Sequence, residues 1–209
     1  MSERLEVAPG AWVDFVPAFV EDHAAVMAAL LAELPLRVEA LRMGAREVLT
    51  PRETSWHGDP ECSYRYSRRL FAPSPWTPGL AAIREALTAR LGLRFNAVMA
   101  NYYRDGRDSM GWHADDEPEL GPRAPDDVLI ASVSLGAPRR FVLKPRGAPP
   151  GVSWRWMLGE GSALVMGGAT QRACVHAVPK TAVPVGPRLN LTFRQVRGVP
   201  GRSDGALKF

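Results

Sequence analysis

Four histidines are all that this 209-residue chain can offer to a histidine-based metal site: His23, His57, His113 and His176. One of them stands in Trp112-His113-Ala114-Asp115. Two residues apart on an extended strand, side chains point the same way. His113 and Asp115 can therefore offer an imidazole nitrogen and a carboxylate oxygen to one ion, and His176 is the natural third ligand. Two histidines and a carboxylate on one face of an octahedron leave neighbouring positions open, the arrangement with which non-haem Fe(II) oxygenases hold a co-substrate and O2 side by side. The same three groups can hold a catalytic zinc. Taken alone, a His-x-Asp tripeptide is more often a turn carboxylate beside a surface histidine.

The run Arg188-Leu189-Asn190-Leu191-Thr192-Phe193-Arg194 alternates strictly between polar and apolar. On a strand, Arg188, Asn190, Thr192 and Arg194 share one face, and the three apolar residues share the other. An ordinary amphipathic strand with a wet polar face has the same pattern. Inside a sandwich, however, that polar face suits a small dicarboxylate, which fits a diacid co-substrate better than a water-activating zinc. Six residues of strand span roughly 20 Å, so one arginine at each end of an elongated diacid is expected, not two on one carboxylate. Asn101 and Tyr103, also two apart, can donate hydrogen bonds to the same ligand or serve as satisfied core polar groups.

These side chains need elements to hold them. Residues 18–34 have helical composition, with Phe19, Val26, Leu30 and Leu34 at helical spacing and Pro35 as the stop. A second helix is expected between Pro78 and Gly92, with Leu80, Ile83, Leu87 and Leu91 as its apolar stripe. Residues 36–71 lose the helical period. Short runs around Val38, Leu41, Met43 and Val48 suggest strands, and the aromatic stretch from Pro51 to Ser67 reads as a loop-rich lid over a site. From Phe95 onward, short strands punctuated by Gly and Pro imply an antiparallel sandwich or jelly roll. The expected plan is α+β in one domain spanning 1–209: N-terminal helices and lid over 1–94, a jelly-roll core over 95–197, and a flexible tail over 198–209.

Composition narrows the function classes. With 46% hydrophobic and 23% charged residues, the chain can build a sizeable core. A net charge of +4 is compatible with a polyanionic partner. The apolar runs are too short to span a bilayer, and the N-terminus lacks the layout of a secretory signal, so the chain reads as intracellular with no membrane partner. Cys62 and Cys174 make neither a disulfide framework nor a zinc set.

Taken together, the pattern NxYxxGxDxxGxHxDDE from Asn101 to Glu117, SxSxG from Ser132 to Gly136, His176, and RxNxTFR from Arg188 to Arg194 resembles the AlkB family of nucleic-acid dealkylases. The ordered match runs from Asn96 to Val196, about half the chain. The resemblance implies a double-stranded β-helix (jelly-roll) core carrying Fe(II), with 2-oxoglutarate and O2 as co-substrates. His113, Asp115 and His176 would be the iron ligands. Arg188 would grip the distal carboxylate of 2-oxoglutarate and Arg194 the end near the metal, helped by Asn101, Tyr103, Asn190 and Thr192. The substrate would be an alkylated base of the 1-methyladenine or 3-methylcytosine type in DNA or RNA, flipped or single-stranded because its methyl lies on the pairing edge. A monomer with no obligate protein partner is expected.

The lid matches more loosely, through Pro51-Arg52, Gly58-Asp59 and Tyr64-Arg65-Tyr66-Ser67. Arg52, Tyr64 and Tyr66 are its candidates for base contact, with Trp56 and His57 secondary. His57 before Gly58, and Tyr66 where relatives commonly carry Phe, are departures that leave the substrate open. Relatives suggest that Asp116 orders the lid or an arginine and that Glu117 approaches a cationic base. Arg65, Arg68, Arg69, Arg104, Arg107, Arg139 and Arg140 are candidates for phosphate contact, although scattered arginines are commonly plain surface charge. The hairpin around Leu41-Arg42-Met43-Gly44 is a candidate apolar wedge. The rival readings are an oxygenase of proteins or small molecules, an inactive nucleic-acid-binding module, and a zinc hydrolase.

Overall fold

The computed structural model describes residues 4–43, 46–62, 64–66, 69–121 and 123–197, and the side chains of 41–48 and 63–71 lie outside that description. In chain order the elements are β1 (Arg4–Ala8), β2 (Ala11–Val16), α1 (His23–Glu33), β3 (Arg37–Met43), β4 (Arg46–Gly58), β5 (Tyr64–Tyr66), β6 (Arg69–Phe71) and α2 (Pro78–Leu91). There follow β7 (Ala97–Tyr103), β8 (Met110–His113), β9 (Ile130–Gly136), β10 (Arg139–Pro145), β11 (Trp154–Leu158), β12 (Ser162–Gly168), α3 (Thr170–Ala173), β13 (Cys174–Val178) and β14 (Arg188–Arg194).

An eight-stranded antiparallel sheet runs β1-β2-β12-β9-β14-β7-β4-β3, and a four-stranded sheet runs β11-β10-β13-β8. They face one another as a jelly roll. One apolar core lies between the sheets, and a second lies where α1 and α2 cover the back of the larger sheet. Strand β14 is central and buried along its whole length. Leu189, Leu191 and Phe193 join the core under the helices, each contributing on the order of 1.5–3 kcal/mol by burial. Its polar residues face inward between the sheets, so the reading of a wet polar face does not hold.

Helix α2 forms where expected. Thr77 caps it by accepting from Leu80 N, Pro78 stands in the first turn, and Gly92 closes it in the left-handed region at φ 68°. Helix α1 is shorter than the expected 18–34. Val20 N donates to Gly161 O at 2.8 Å, and that tertiary bond holds residues ahead of Asp22 out of a helical turn. Phe19 and Leu34 are buried but flank the helix. At the C-terminal end, the residue before Pro35 is extended, as the proline ring requires.

The N-terminal segment holds more than helices and a lid. Strands β1 to β4 extend both flanks of the main sheet, with β2 paired to β12 and β4 to β7. The stretch read as a loop-rich lid from Pro51 is corrected in its first half: Glu53 to Gly58 pair with Tyr102 to Ala97, and Arg52, Thr54, Ser55 and His57 are buried. Turn-forming residues there are overridden by pairing with a central strand. The wedge candidate around Leu41-Arg42-Met43-Gly44 and the tail from 198 lie outside the described residues or side chains. Among the described residues, no helix is long and apolar enough to cross a membrane.

Candidate active site between the sheets

Antiparallel pairing of β13 with β8 sets His176 directly opposite His113, with ring centroids 4.2 Å apart. Asp115 completes a group whose ligand atoms all lie within 4.8 Å of one another. The strand argument accounts for only part of this. Strand β8 ends at His113, and Asp115 sits in the loop beyond it. What fixes the loop is Gln171 of α3, whose side-chain oxygen accepts from Asp115 N at 3.0 Å. Gln171 is fully buried and is invisible to motif reading, because nothing in its spacing marks it.

Each of the three residues is prepared for a cation. His113 Nδ1 lies 2.9 Å from Gly111 O, which makes Nδ1 the donor and leaves the Nε2 lone pair free. Burial, and then His113, push His176 down to about 3, so it is neutral at physiological pH; its Nδ1 has no partner among the described residues. Burial alone would raise the Asp115 carboxyl, but Arg194, His176 and His113 outweigh it and the net direction is down. Arg194 Nη2 donates to Asp115 Oδ1 at 2.9 Å. The carboxylate therefore stays ionised in a dry place.

Arg188 occupies the far end of the same strand face. Its Nε donates to Leu158 O at 3.0 Å and its Nη2 to Ser134 Oγ at 2.7 Å, while Nη1 is buried without a partner among the described residues. Burial lowers it to about 10, leaving it charged at neutral pH. Tyr103, also buried, lies beside it, with the guanidinium 5.2 Å from the ring centroid. A buried cation without a carboxylate costs several kcal/mol and is a standing site for an anion. The cavity joining the two arginines, about 60 Å³, is lined by the three-residue group and by Asn101, Tyr103, Asn190 and Thr192.

The polar residues along that cavity are held in place by one another. Thr192 Oγ1 donates to Asn190 Oδ1 at 3.1 Å, and Asn190 Nδ2 donates to Ser132 Oγ at 2.7 Å. Arg52 Nε donates to Asn101 Oδ1 at 2.6 Å. The serines of the SxSxG run thus serve Asn190 and Arg188, a role the motif alone does not reveal.

The remaining candidates divide. Arg52 lines the cavity. Trp56 is half-buried against the inter-sheet core and does not line it, and His57 is buried between Pro75 O and Ser55 Oγ. Asp116 pairs with Arg146, 3.2 Å away, whose guanidinium also binds the carbonyls of Gln171 and Arg172. Glu117 is buried close enough to Arg194 and Asp115 to feel both charges; burial pushes it up to about 7. The side chains of Tyr64 and Tyr66 lie outside the described residues.

A model of the 2OG-Fe(II) oxygenase superfamily matches residues 13–194. The chain belongs to that superfamily. Among similar proteins, the "Alpha-ketoglutarate-dependent dioxygenase alkB homolog 3" of Rattus norvegicus is 40% identical over 79% of this chain and 59% of its own length. The "DNA oxidative demethylase ALKBH2" of Homo sapiens is 40% identical over 70% of this chain and 57% of its own. The chain thus spans little more than half the length of these curated relatives, and they are AlkB homologues, as the motif resemblance anticipates. A solved structure of OsALKBH1 superposes with a TM-score of 0.63 at 17% identity, covering 92% of this chain and all of that one, a likeness of fold.

Proposed function

We propose that the chain is an Fe(II)- and 2-oxoglutarate-dependent dioxygenase that removes alkyl groups from nucleic-acid bases of the 1-methyladenine or 3-methylcytosine type, in DNA and, as a second substrate class, RNA. The observation that carries this reading is the pairing of half-buried His113 and buried Asp115 and His176 with Arg188, a buried cation that has no carboxylate partner among the described residues. In this reading the three residues hold ferrous iron. Arg188 and Tyr103 bind the distal carboxylate of 2-oxoglutarate, and Arg194 orients Asp115 and the metal-side end, with Asn101, Asn190 and Thr192 lining the span. The iron and co-substrate, when bound with O2, supply oxidation of an otherwise inert N-alkyl C–H bond.

The protein's own part is placement and exclusion of water. Arg194 keeps Asp115 ionised, and Gly111 O keeps the His113 lone pair directed away from the strand. Arg52, through Asn101, ties the base of the lid to the co-substrate floor. Tyr64 and Tyr66 remain proposed base contacts. Glu117, next to the metal carboxylate, is proposed to meet a cationic alkylated base, whose charge would favour its ionised form. Trp56 and Asp116 are proposed to shape the lid and its approach, not to touch the base. We also read the chain as one catalytic domain, since strands from both halves share one sheet, and propose that it acts as an intracellular monomer.

The test is release of formaldehyde from oligonucleotides bearing 1-methyladenine or 3-methylcytosine, with conversion of 2-oxoglutarate to succinate followed in parallel. Release that Asp115→Ala abolishes supports the reading. Succinate formation without release from any methylated oligonucleotide moves the substrate to proteins or small molecules, and equal succinate formation by Asp115→Ala removes the site.

A further inference from the structure

The outward side of the four-stranded sheet is uncovered among the described residues. Pairing of Phe141 with Trp156 and of Leu143 with both Trp154 and His176 turns those side chains inward, so Arg140 and Lys144 of β10 and Arg155 and Met157 of β11 point out. Trp112, on the edge strand β8, is 51% exposed, and Met157 is 59% exposed. The Lys144 ammonium sits 4.2 Å from the Trp112 ring centroid. Every other outward position of β10 and β13 in this array is aliphatic, and none of β8, β10, β11 and β13 contains an acidic residue.

Unpaired cations are concentrated on this face, although Arg90 and Arg197 elsewhere also bond only neutral oxygens. Elsewhere on the surface Arg104, Arg107, Arg123, Arg146 and Arg172 each have a carboxylate within ion-pair distance. Arg139, the neighbour of Arg140, is turned inward and donates to the carbonyls of Asp105, Asp108 and Pro179. Arg140, Lys144 and Arg155 have no carboxylate partner among the described residues. Three uncompensated cations around an exposed indole form the chemistry that binds single-stranded nucleic acid: cations track the phosphates and an aromatic ring stacks a base.

We propose that this sheet face binds the backbone of nucleotides flanking the target base in a single-stranded nucleic acid, with Arg140, Lys144 and Arg155 on phosphates and Trp112 as the stacking platform. The proposal rests on the nucleic-acid reading of the site and extends it. Its continuity with the site is covalent: Trp112 precedes His113 and points to the opposite side of the same strand. From Arg140 to Lys144 the cations span roughly 13 Å of strand, enough for a few successive phosphates.

The experiment measures binding of a fluorescent oligothymidylate of about 20 nucleotides, longer than a single binding groove needs, by anisotropy across a salt series. Combined Arg140→Ser, Lys144→Ser and Arg155→Ser should weaken binding at least about tenfold and reduce the salt slope by about 2, roughly 0.7 for each phosphate that is no longer neutralised. Arg155→Gln alone should lower the slope by about 0.7, which guards against misfolding of the triple variant. Quenching of tryptophan fluorescence by the oligomer should be smaller in Trp112→Phe. Unchanged affinity and slope in a triple variant that melts like the parent overturn the proposal. So does binding to vesicles containing phosphatidylserine with none to the oligomer. If the parent releases formaldehyde from a methylated trinucleotide yet ignores the long oligomer, this face is refuted and the enzymatic reading stands. Salt-sensitive binding through these cations with no release from any methylated substrate supports the face and refutes dealkylation.

Discussion

Arg188 and Gln171 show two ways in which a residue can be committed to a ligand it has not yet met. Among the described residues, Arg188 keeps one donor of its guanidinium unpaired and has no carboxylate beside it. Replacing it with Met removes a cost from the ligand-free fold and a grip from the co-substrate. The Michaelis constant for 2-oxoglutarate should rise at least about tenfold, since a charge-assisted hydrogen bond contributes about 1.5–3 kcal/mol. 2-Oxoglutarate should no longer raise the melting temperature; a Met variant that 2-oxoglutarate still stabilises as it does the parent would remove Arg188 from the site. Gln171 acts through the Asp115 backbone. Gln171→Leu should weaken Mn(II) binding to the apoprotein about 10–100-fold, as removal of a supporting hydrogen bond at a metal site does, read by electron paramagnetic resonance. Affinity equal to the parent's would leave the loop held by something else. Arg188 can be read from the alternation around it. Gln171 cannot, because its importance lies in a hydrogen bond across 56 residues of chain.

Among the elements, β14 and α2 are the most legible. Strict alternation assigns the two faces of β14, and cap residues mark both ends of α2. Less legible are the start of α1 and the identity of residues 51–58, where tertiary partners decide the conformation. The hydrogen bond between Val20 and Gly161 is one such decision. Gly161 has φ 80°, and a Cβ there would collide with Val20 O. Gly161→Ala should therefore cost about 2–4 kcal/mol in urea unfolding, from positive-φ strain together with a displaced strand end. A cost below about 0.5 kcal/mol, the size of an ordinary surface substitution, would mean that the segment before α1 is free to move aside.

At the scale of the molecule, the jelly roll can be expected from the rhythm of short strands after Phe95, but not the membership of its larger sheet. That membership makes His57 a core residue, and burial holds its pKa below the ordinary 6.5. The unfolded chain then takes up a proton that the folded chain refuses. His57 contributes full stability above pH 6.5 and progressively less as the pH falls toward its folded value. Denaturant midpoints of the metal-free protein should fall below that pH, and His57→Gln should flatten part of the fall. An unchanged slope would show that other groups carry it.

The hairpin of β1 and β2 has a consequence in time. Trp12 bonds Thr170 across 158 positions, so β1 and β2 must wait on the ribosome for a partner synthesised 158 residues later. At ordinary translation speeds that delay is on the order of ten seconds. During it an apolar ribbon has no sheet to join, and nascent chains stalled before β12 should be the species that chaperones retain.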